Sequence, residues 1–314
     1  MRVLITGGYG FIGGRLGQYL SEAGHEVVLG SRHANTLPTW LPDSEVVRIN
    51  WEDNDALDKV CRNAEVVIHT AGMNAQDCAA DPVAALNFNG LGTTRLVSAA
   101  SRVGVRRFIY LSTAHIYDSP LVGSITEETR PRNAHPYATS HLAGECAVLA
   151  AHERKEIEGI VLRLSNAFGA PAHSNVNCWM LLVNDLCKQA LTTGKLALRT
   201  NGLQQRNFIT LQDVSRCIGH LVTLEKSACL DGLFNVGGES SYSVYSMAKL
   251  VASRCHKVLG FTPLIERVEP NAQDDEQILS YSIAKLQSTG FVVQDGIENE
   301  IDATLLFCSR FFGR

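Results

Sequence analysis

Near its first residue the chain reads Val3-Leu4-Ile5-Thr6-Gly7-Gly8-Tyr9-Gly10-Phe11-Ile12-Gly13, and this stretch decides the fold. A short apolar strand leads into three glycines spaced three apart. In a dinucleotide-binding turn, such glycines permit a tight turn, a close approach of the backbone to a pyrophosphate, and close packing of helix on strand. The first N–H groups of the following helix would face the pyrophosphate. The residues predicted to bind it are Gly7, Gly10, Phe11, Ile12 and Gly13.

Apolar strand-like runs alternate with helix-like segments through the first half of the chain. Such alternation is typical of βαβ units, which build a parallel sheet covered by helices on both faces. We therefore predict an α/β fold, a Rossmann-type doubly wound parallel sheet in residues 1–165. Residues 166–314 are expected to form mainly a smaller substrate-binding lobe, with segments that return to the main sheet. Strands are predicted at 2–5, 26–30, 45–49, 65–69, 107–111 and 159–164, and helices at 13–23, 55–61, 83–103, 137–153, 177–193, 212–224 and 243–259.

The end of the second predicted strand bears on the choice between NAD and NADP. An acidic residue there bonds the ribose 2′-hydroxyl of NAD, whereas an arginine accommodates the 2′-phosphate of NADP. The chain reads Leu29-Gly30-Ser31-Arg32-His33, without a carboxylate. Ser31 and Arg32 therefore favour NADP as the cofactor, with NAD as the alternative.

Composition excludes several other classes of protein. Of the 314 residues 45% are apolar and 19% are charged, the formal net charge is −4, and no basic block is present. Neither a nucleic acid nor a membrane is expected as a partner. The nine cysteines are odd in number and scattered, which favours reduced thiols over disulfides or a metal site. The first residues form a strand rather than a secretory signal, so a cytoplasmic location is expected.

Five further stretches carry a resemblance to a known family. The chain resembles the extended short-chain dehydrogenase/reductase superfamily, in particular its NAD(P)-dependent nucleotide-sugar epimerase/dehydratase branch. The resemblance runs over nearly the whole length and implies hydride transfer to or from a sugar, in this branch a nucleotide sugar. Besides the glycine turn, the stretches are Asn89-Gly90-Leu91-Gly92-Thr93, residues 105–113, Arg163-Leu164-Ser165-Asn166-Ala167-Phe168-Gly169, residues 202–209 and Phe234-Asn235-Val236-Gly237-Gly238.

The resemblance also implies roles for individual residues. Tyr137 is the acid/base, and Thr113, 24 residues earlier, is a hydrogen-bond partner of the reacting oxygen. Asn166 and Arg206 match positions that hold the substrate. The remaining implied contacts are Ala71, Tyr137 and His141 with the cofactor, and Ser112 and His115 with the substrate.

Three departures from the family pattern bear on function. His141 stands where the family has a lysine, four residues after Tyr137. Ala114-His115 replaces the acidic pair that the 4,6-dehydratases use, so reduction or epimerisation is expected rather than dehydration. Asp274 and Asp275 lie where a second phosphate-binding arginine is usual, which argues against a nucleotide in the substrate.

His141 leaves two hypotheses open. A neutral imidazole can hydrogen-bond a ribose but lowers the tyrosine pKa less than a lysine ammonium does. The protein is then a working epimerase or ketoreductase with Tyr137, Thr113 and His141 as its catalytic residues. The alternative is a non-catalytic NADP(H)-binding regulatory or interaction protein. The family further suggests a homodimer through helices 83–103 and 137–153.

Overall fold

The computed structural model describes residues 1–33, 36–271 and 277–313. A parallel sheet of seven strands in the order β11-β7-β5-β4-β1-β2-β3 forms its centre. The strands are β1 Arg2–Thr6, β2 Glu26–Ser31, β3 Glu45–Arg48, β4 Val66–His69, β5 Arg107–Thr113, β6 Gly123–Ile125, β7 Glu158–Leu164, β8 Asn166–Phe168, β9 Lys195–Ala197, β10 Gln205–Thr210, β11 Leu233–Val236, β12 Ser241–Ser243, β13 Leu264–Glu266 and β14 Leu279–Tyr281.

Helices cover both faces of this sheet, as the alternating pattern predicts. The α-helices are α1 Phe11–Glu22, α2 Asn54–Cys61, α3 Ala75–Ala80, α4 Pro82–Ala85, α5 Thr93–Arg102, α6 Pro136–Glu153, α7 Leu182–Thr193, α8 Leu211–Thr223, α9 Val244–Leu259, α10 Ala284–Gln287 and α11 Ile297–Phe312. A π-helical segment spans Leu86–Gly92, and 3₁₀ turns span Ala114–Ile116 and Lys226–Cys229. The predicted Rossmann-type α/β fold is confirmed.

The order of the strands reverses between β1 and β4, and ligands of such sheets bind at this point beyond the carboxyl ends of the strands. Apolar side chains on both faces explain why the middle strands are buried throughout. Helices α1 and α8 share one apolar core with the sheet, and α2, α5 and α6 share another on its opposite face. The carboxyl edge of β1, β4 and β5 is thereby held rigidly between two layers of helix.

Residues after β7 supply a separate, smaller core and also return to the main sheet. Helices α7, α9 and α11 pack together around Phe168 and Phe208. Strands β8, β10 and β12 form a small sheet beside them. Strand β11 pairs with β7 in the main sheet, with Leu233 opposite Val161. Capping hydroxyls begin two of the helices, because Thr210 accepts a hydrogen bond from Asp213 N and Ser243 from Ser246 N.

Several predicted elements differ from the observed ones. The continuous helix predicted at 83–103 is wrong: a π-helical segment interrupts it, where the Thr93 hydroxyl donates to the Asn89 carbonyl oxygen at 2.5 Å. The helix predicted at 177–193 begins only at Leu182, since residue 181 is still extended. Helices α3, α10 and α11 have no counterpart in the predictions, and neither have strands β6 and β8 to β14.

The cysteines are free thiols, as predicted. Eight of the nine are buried, and Cys146 on α6 is exposed. Burial raises the pKa of Cys61 to about 12 and that of Cys255 to about 11. The buried thiols therefore act as apolar core groups.

Candidate active site

The glycine turn has the geometry that its sequence predicts. Gly7 has φ +70°, and a Cβ there would lie 2.8 Å from the backbone N of Ala71. A Cβ on Gly13 would lie 2.3 Å from the carbonyl oxygen of Gly7, so α1 packs directly on the turn. No side chain caps this helix at Gly10. Its first N–H groups are available to an anion, as a dinucleotide pyrophosphate requires.

A cleft of about 1460 Å³ opens from this turn and runs between the sheet and the smaller core. This volume exceeds that of an ordinary small-ligand pocket. It is sufficient for a dinucleotide together with a second ligand. Most of the predicted site residues line it, namely Gly10, Phe11, Ile12, Gly13, Arg32, Ser112, Thr113, His115, Tyr137, His141, Asn166 and Arg206. Gly7, Ser31 and Ala71 are not among its lining residues; Gly7 and Ala71 pack against each other below the turn.

Arg32 lies beside an aromatic pair at one end of the cleft. Its guanidinium is 5.2 Å from the ring centroid of Phe88, which in turn contacts Trp51 edge to face at 5.3 Å. Within the described ranges Arg32 forms no ion pair, so its charge is available to an anion. The Ser31 hydroxyl accepts a hydrogen bond from the backbone N–H of His33 at 3.3 Å.

Tyr137 and Thr113 meet in the middle of the cleft, as the sequence predicts. Thr113 is the last residue of β5, and Tyr137 lies in the first turn of α6, whose N-cap His135 accepts a hydrogen bond from the Tyr137 backbone N–H at 3.1 Å. Burial raises the pKa of Tyr137 above its usual value of 10, and a hydrogen bond with Thr113 partly opposes this rise. The phenol is therefore protonated at neutral pH and is a proton donor.

His141 lies one helical turn from Tyr137, and their rings meet edge to face with centroids 4.6 Å apart. Only 6% of its surface is exposed, and burial lowers its pKa from 6.5 to about 4. The imidazole is consequently neutral near pH 7. It supplies none of the fixed positive charge that a lysine at this position would supply.

The Nδ1 side of the His141 ring contacts a buried polar cluster that was not predicted from the sequence. The hydroxyl of Tyr110 lies 2.9 Å from His141 Nδ1, and the Tyr110 ring stacks between those of His141 and His69. Sheet register explains the cluster, because Thr6, His69 and Tyr110 are direct neighbours on β1, β4 and β5. The sequence did contain a signal for this cluster: polar residues lie at matched positions near the ends of successive predicted strands.

Hydrogen bonds fix the protonation of His69 within this cluster. The Thr93 hydroxyl gives its proton to the Asn89 carbonyl and can only accept from His69 Nε2, 3.0 Å away. His69 Nδ1 therefore accepts from the Thr6 hydroxyl at 2.6 Å. Burial lowers the pKa of His69 to about 3, so this ring is neutral as well.

Arg206 lines the cleft as a cation without a carboxylate partner among the described residues. Burial lowers the pKa of Arg206 below its usual value, but the group remains charged near neutrality. It has no carboxylate partner in the described part of the chain, and its one hydrogen bond is a long one of 3.5 Å to Gln204. The side-chain amide nitrogen of Asn166 donates a hydrogen bond to the Asn207 carbonyl oxygen at 2.9 Å. Asp274 and Asp275 lie outside the described residues.

Two buried hydroxyls in the cleft have no partner among the described residues. Ser112 Oγ and Ser165 Oγ are both shielded and make no hydrogen bond there, although both residues line the cleft. Since an unpaired buried hydroxyl costs free energy, these atoms are suited to hydrogen bonds with a bound ligand. Ser165 was not among the predicted site residues. Together with the glycine turn, these hydroxyls fit a bound dinucleotide and substrate.

The part of the chain that is described holds neither a cluster of metal ligands nor a membrane-spanning helix. No cluster of three or more histidine, cysteine, aspartate or glutamate side chains is arranged to bind a metal ion there. Across the same residues, no helix combines the length and apolar character needed to cross a bilayer.

Known proteins share this architecture. A solved structure, MoeE5 in complex with UDP-glucuronic acid and NAD, is 25% identical and superposes with a TM-score of 0.79 over 99% of both chains. UDP-glucuronic acid decarboxylase 1 of Danio rerio is 27% identical over 326 residues, covering 98% of this chain and 73% of that protein. UDP-glucose 4-epimerase of Bacillus subtilis (strain 168) is 28% identical over 275 residues, covering 79% and 80%.

A family model also matches most of the chain. The model described as NAD dependent epimerase/dehydratase family matches residues 3–237, well over half of the chain. The glycine turn, Thr113, Tyr137 and the substrate-side Arg206 all lie within this range. The resemblance noted in the sequence is thereby confirmed, and the chain belongs to the NAD dependent epimerase/dehydratase family of enzymes.

Proposed function

We propose that the protein is an NAD(P)-dependent epimerase or ketoreductase that acts on a nucleotide sugar, with Tyr137 as its acid/base. The placement of Tyr137 and Thr113 together in a cleft that begins at a dinucleotide-binding turn carries this proposal. A bound nicotinamide cofactor supplies hydride acceptance and donation. The protein supplies the proton: the phenol of Tyr137 donates to the oxygen of a carbonyl while Thr113 orients that oxygen.

His141 orients the cofactor in this proposal. If Tyr110 donates its hydroxyl proton to His141 Nδ1, the opposite ring nitrogen carries the N–H and becomes a donor at the edge of the cleft. Such a donor can bind a ribose hydroxyl. His141 thus performs only one of the two functions of a lysine at this position. It binds the ribose, but its neutral ring does not lower the pKa of Tyr137.

Arg32 and Ser31 are proposed to bind the 2′-phosphate of NADP. The unpaired guanidinium of Arg32 at the cleft supports NADP over NAD, whereas the position of Ser31 outside the lining gives it a smaller part. At the other end, Arg206 and Asn166 are proposed to bind the diphosphate and sugar of the substrate. The absence of a carboxylate beside Arg206 in the described residues supports an anionic ligand there.

Two proposals concern organisation. Residues 1–165 are proposed as the cofactor-binding domain and residues 166–314 as mainly the substrate-binding lobe, with β11 returning to the main sheet. A homodimer through segments 83–103 and 137–153 is also proposed. Its support is the exposure of the apolar side chains of Val83 and Leu86, 70% and 53% respectively.

The decisive experiment follows the absorbance of the cofactor while the protein is mixed with UDP- and dTDP-linked hydroxy and keto sugars. Wild type is expected to transfer hydride to or from at least one of them. Tyr137→Phe should slow this transfer by about 10²- to 10⁴-fold, because the proton donor is lost. The variant should bind the cofactor normally by calorimetry.

A second candidate function is a non-catalytic NADP(H)-binding regulatory or interaction protein. The neutral His141 and the raised pKa of Tyr137 favour it, since neither group is activated as in a lysine-containing site. Tight cofactor binding without hydride transfer to any sugar of the panel would establish this function instead.

A further inference from the structure

We propose that Tyr110 is a positioning residue that holds His141 as a single tautomer, with the proton on the Nε2 nitrogen that borders the cleft. This role rests on the proposed function and deepens it, because Tyr110 would make an imidazole serve as a ribose donor where the family has a lysine. Tyr110 lies on β5, behind His141, and is not among the residues that line the cleft.

The first support is the contact between the two side chains. The Tyr110 hydroxyl lies 2.9 Å from His141 Nδ1, and both residues are buried. Gly144 on α6 leaves the space for this hydroxyl, because a Cβ there would lie only 2.8 Å from it. The hydrogen bond therefore forms in a buried site, where an unpaired ring nitrogen would cost free energy.

The second support is the direction of the proton in this hydrogen bond. Burial raises the pKa of Tyr110 well above its usual value of 10, so its phenol is protonated near neutral pH. Thr93 lies beside the same hydroxyl, but its oxygen already donates to the Asn89 carbonyl and accepts from His69 Nε2. The Tyr110 proton is therefore left for His141 Nδ1, and the single proton of the neutral imidazole must then be on Nε2.

The third support is the position of the opposite ring nitrogen. Among the described residues, no group forms a hydrogen bond with His141 Nε2. A Cβ on Gly72, which lines the cleft, would lie 3.7 Å from this nitrogen and 3.6 Å from the adjoining Cε1. The Nε2 edge of the ring thus borders the cleft, whereas the Nδ1 edge faces the buried cluster. A protonated Nε2 is available there to a hydroxyl of the cofactor.

Ring stacking fixes the orientation of the imidazole as well. The Tyr110 ring is stacked on His69 with centroids 5.4 Å apart and on His141 with centroids 5.9 Å apart. His69 is itself held, since its Nδ1 lies 2.6 Å from the Thr6 hydroxyl. A half-turn of the His141 ring about its Cβ–Cγ bond would place a carbon against the Tyr110 hydroxyl and break the hydrogen bond. Tyr110 therefore determines both which edge of the imidazole faces the cleft and which nitrogen carries the proton.

The first test observes the tautomer directly. The full-length protein, with ¹⁵N-labelled histidines, is studied by NMR at pH 7, and the His141 signals are assigned from their loss in His141→Gln. Nitrogen–proton correlations through the ring should show a protonated Nε2 and an unprotonated Nδ1 in wild type. Tyr110→Phe should show a mixture of the two tautomers. Tyr281→Phe is the matched control: it removes another buried phenol hydroxyl, which donates to the Arg163 carbonyl at 2.6 Å, and should leave the His141 signals unchanged.

The second test measures the consequence for cofactor binding. Titration calorimetry with NADPH should show a Kd that is about 2- to 10-fold higher for Tyr110→Phe than for wild type, as expected for the loss of one neutral hydrogen bond. In a His141→Leu background the same substitution should have no effect, because the ring that Tyr110 positions is gone. Tyr281→Phe should bind NADPH as wild type does.

The outcomes separate the possible failures. A protonated Nδ1 in wild type overturns the inference, and this result holds even if Tyr110→Phe does not fold. An unchanged tautomer in a folded Tyr110→Phe, or equal losses of affinity in both His141 backgrounds, overturns it as well. Hydride transfer is read separately from cofactor absorbance. Transfer by a protein whose Nδ1 is protonated leaves the proposed function intact, and the expected tautomer without transfer to any sugar removes the proposed function alone.

Discussion

At the scale of single residues, the central feature is a neutral imidazole where the family has a fixed cation. His141 is buried, stacked on Tyr110 and near Tyr137, and its pKa is lowered to about 4. Its imidazole therefore does not change protonation between pH 6 and 8. Under the proposed function, the pH dependence would then arise mainly from Tyr137, and the site would be suited to giving a proton to a carbonyl rather than taking one from an alcohol.

His141→Lys is expected to move the pH optimum for sugar oxidation downward. A permanent positive charge within about 4–6 Å lowers a pKa by about 1–3 units, so the tyrosinate would form at lower pH. The measurement is kcat/KM against pH for wild type and variant. His141→Gln, which adds no charge, should show no downward shift, and a coincident profile for wild type and His141→Lys would refute this role.

Arg32 provides a prediction about cofactor choice. NADPH should bind more tightly than NADH, and Arg32→Ala should remove the difference, because a hydrogen bond to a charged group contributes about 1.5–3 kcal/mol. Titration calorimetry with both cofactors measures it. Arg95→Ala serves as the matched control, since it removes another arginine that lines the cleft and donates to the Trp51 carbonyl. Equal wild-type affinities for the two cofactors would exclude the 2′-phosphate contact.

At the scale of secondary-structure elements, the tightest contact in the turn between β1 and α1 is that of Gly13 with Gly7. Gly13→Ala would place a Cβ 2.3 Å from the Gly7 carbonyl oxygen, forcing helix and turn apart. We expect a loss of about 1–3 kcal/mol in the free energy of unfolding and weakened cofactor binding. Gly296→Ala, where no atom lies within 4 Å and φ is negative, is the control and should be near neutral. Urea unfolding and calorimetry measure both effects.

The same elements show how far sequence reasoning extends. Six of the seven strands of the main sheet were predicted to within a residue or two, because apolar runs between turn residues are a local signal, whereas β11 was not predicted. The interruption of helix 83–103 was not predictable, since it depends on contacts of Asn89 with Met73 and Ser140, which are distant in sequence. Likewise, the contact between Tyr110 and His141 could not be predicted before the sheet register was known. Motif spacing sufficed to propose Thr113, Tyr137 and His141 as catalytic residues, whereas the protonation states of Tyr137 and His141 depend on burial, which the structure supplies.

At the scale of the whole molecule, an ion pair connects α11, the last helix, to α1, the helix that follows the glycine turn. Glu300 on α11 is buried, pairs with Arg15 of α1 at 2.9 Å, and accepts from the backbone N–H of Ala170 at 3.2 Å. Nearby, Trp40 stacks on His173 at 5.2 Å, and His173 Nε2 lies 3.1 Å from the Tyr9 carbonyl oxygen. The segment after β8 is therefore held against the glycine turn.

Loss of the Arg15–Glu300 ion pair should lower both the stability of the protein and its affinity for the cofactor. Glu300→Ala leaves Arg15 without its partner in a largely buried site, so we expect a loss of about 3 kcal/mol in the free energy of unfolding. Glu266→Ala breaks the exposed ion pair with Lys195 and should cost at most about 1 kcal/mol. Urea denaturation compares the two. Similar losses for both variants would show that the Arg15–Glu300 pair has no structural role beyond that of a surface pair.

The distribution of the thiols offers a means of observing the molecule in solution. Cys146 is the one exposed cysteine among the nine, and it lies two turns after Tyr137 on α6. A maleimide dye added to the native protein should therefore attach at one place. Fluorescence from that dye would report on the helix that carries the active-site tyrosine, and also on the surface through which two copies are proposed to associate.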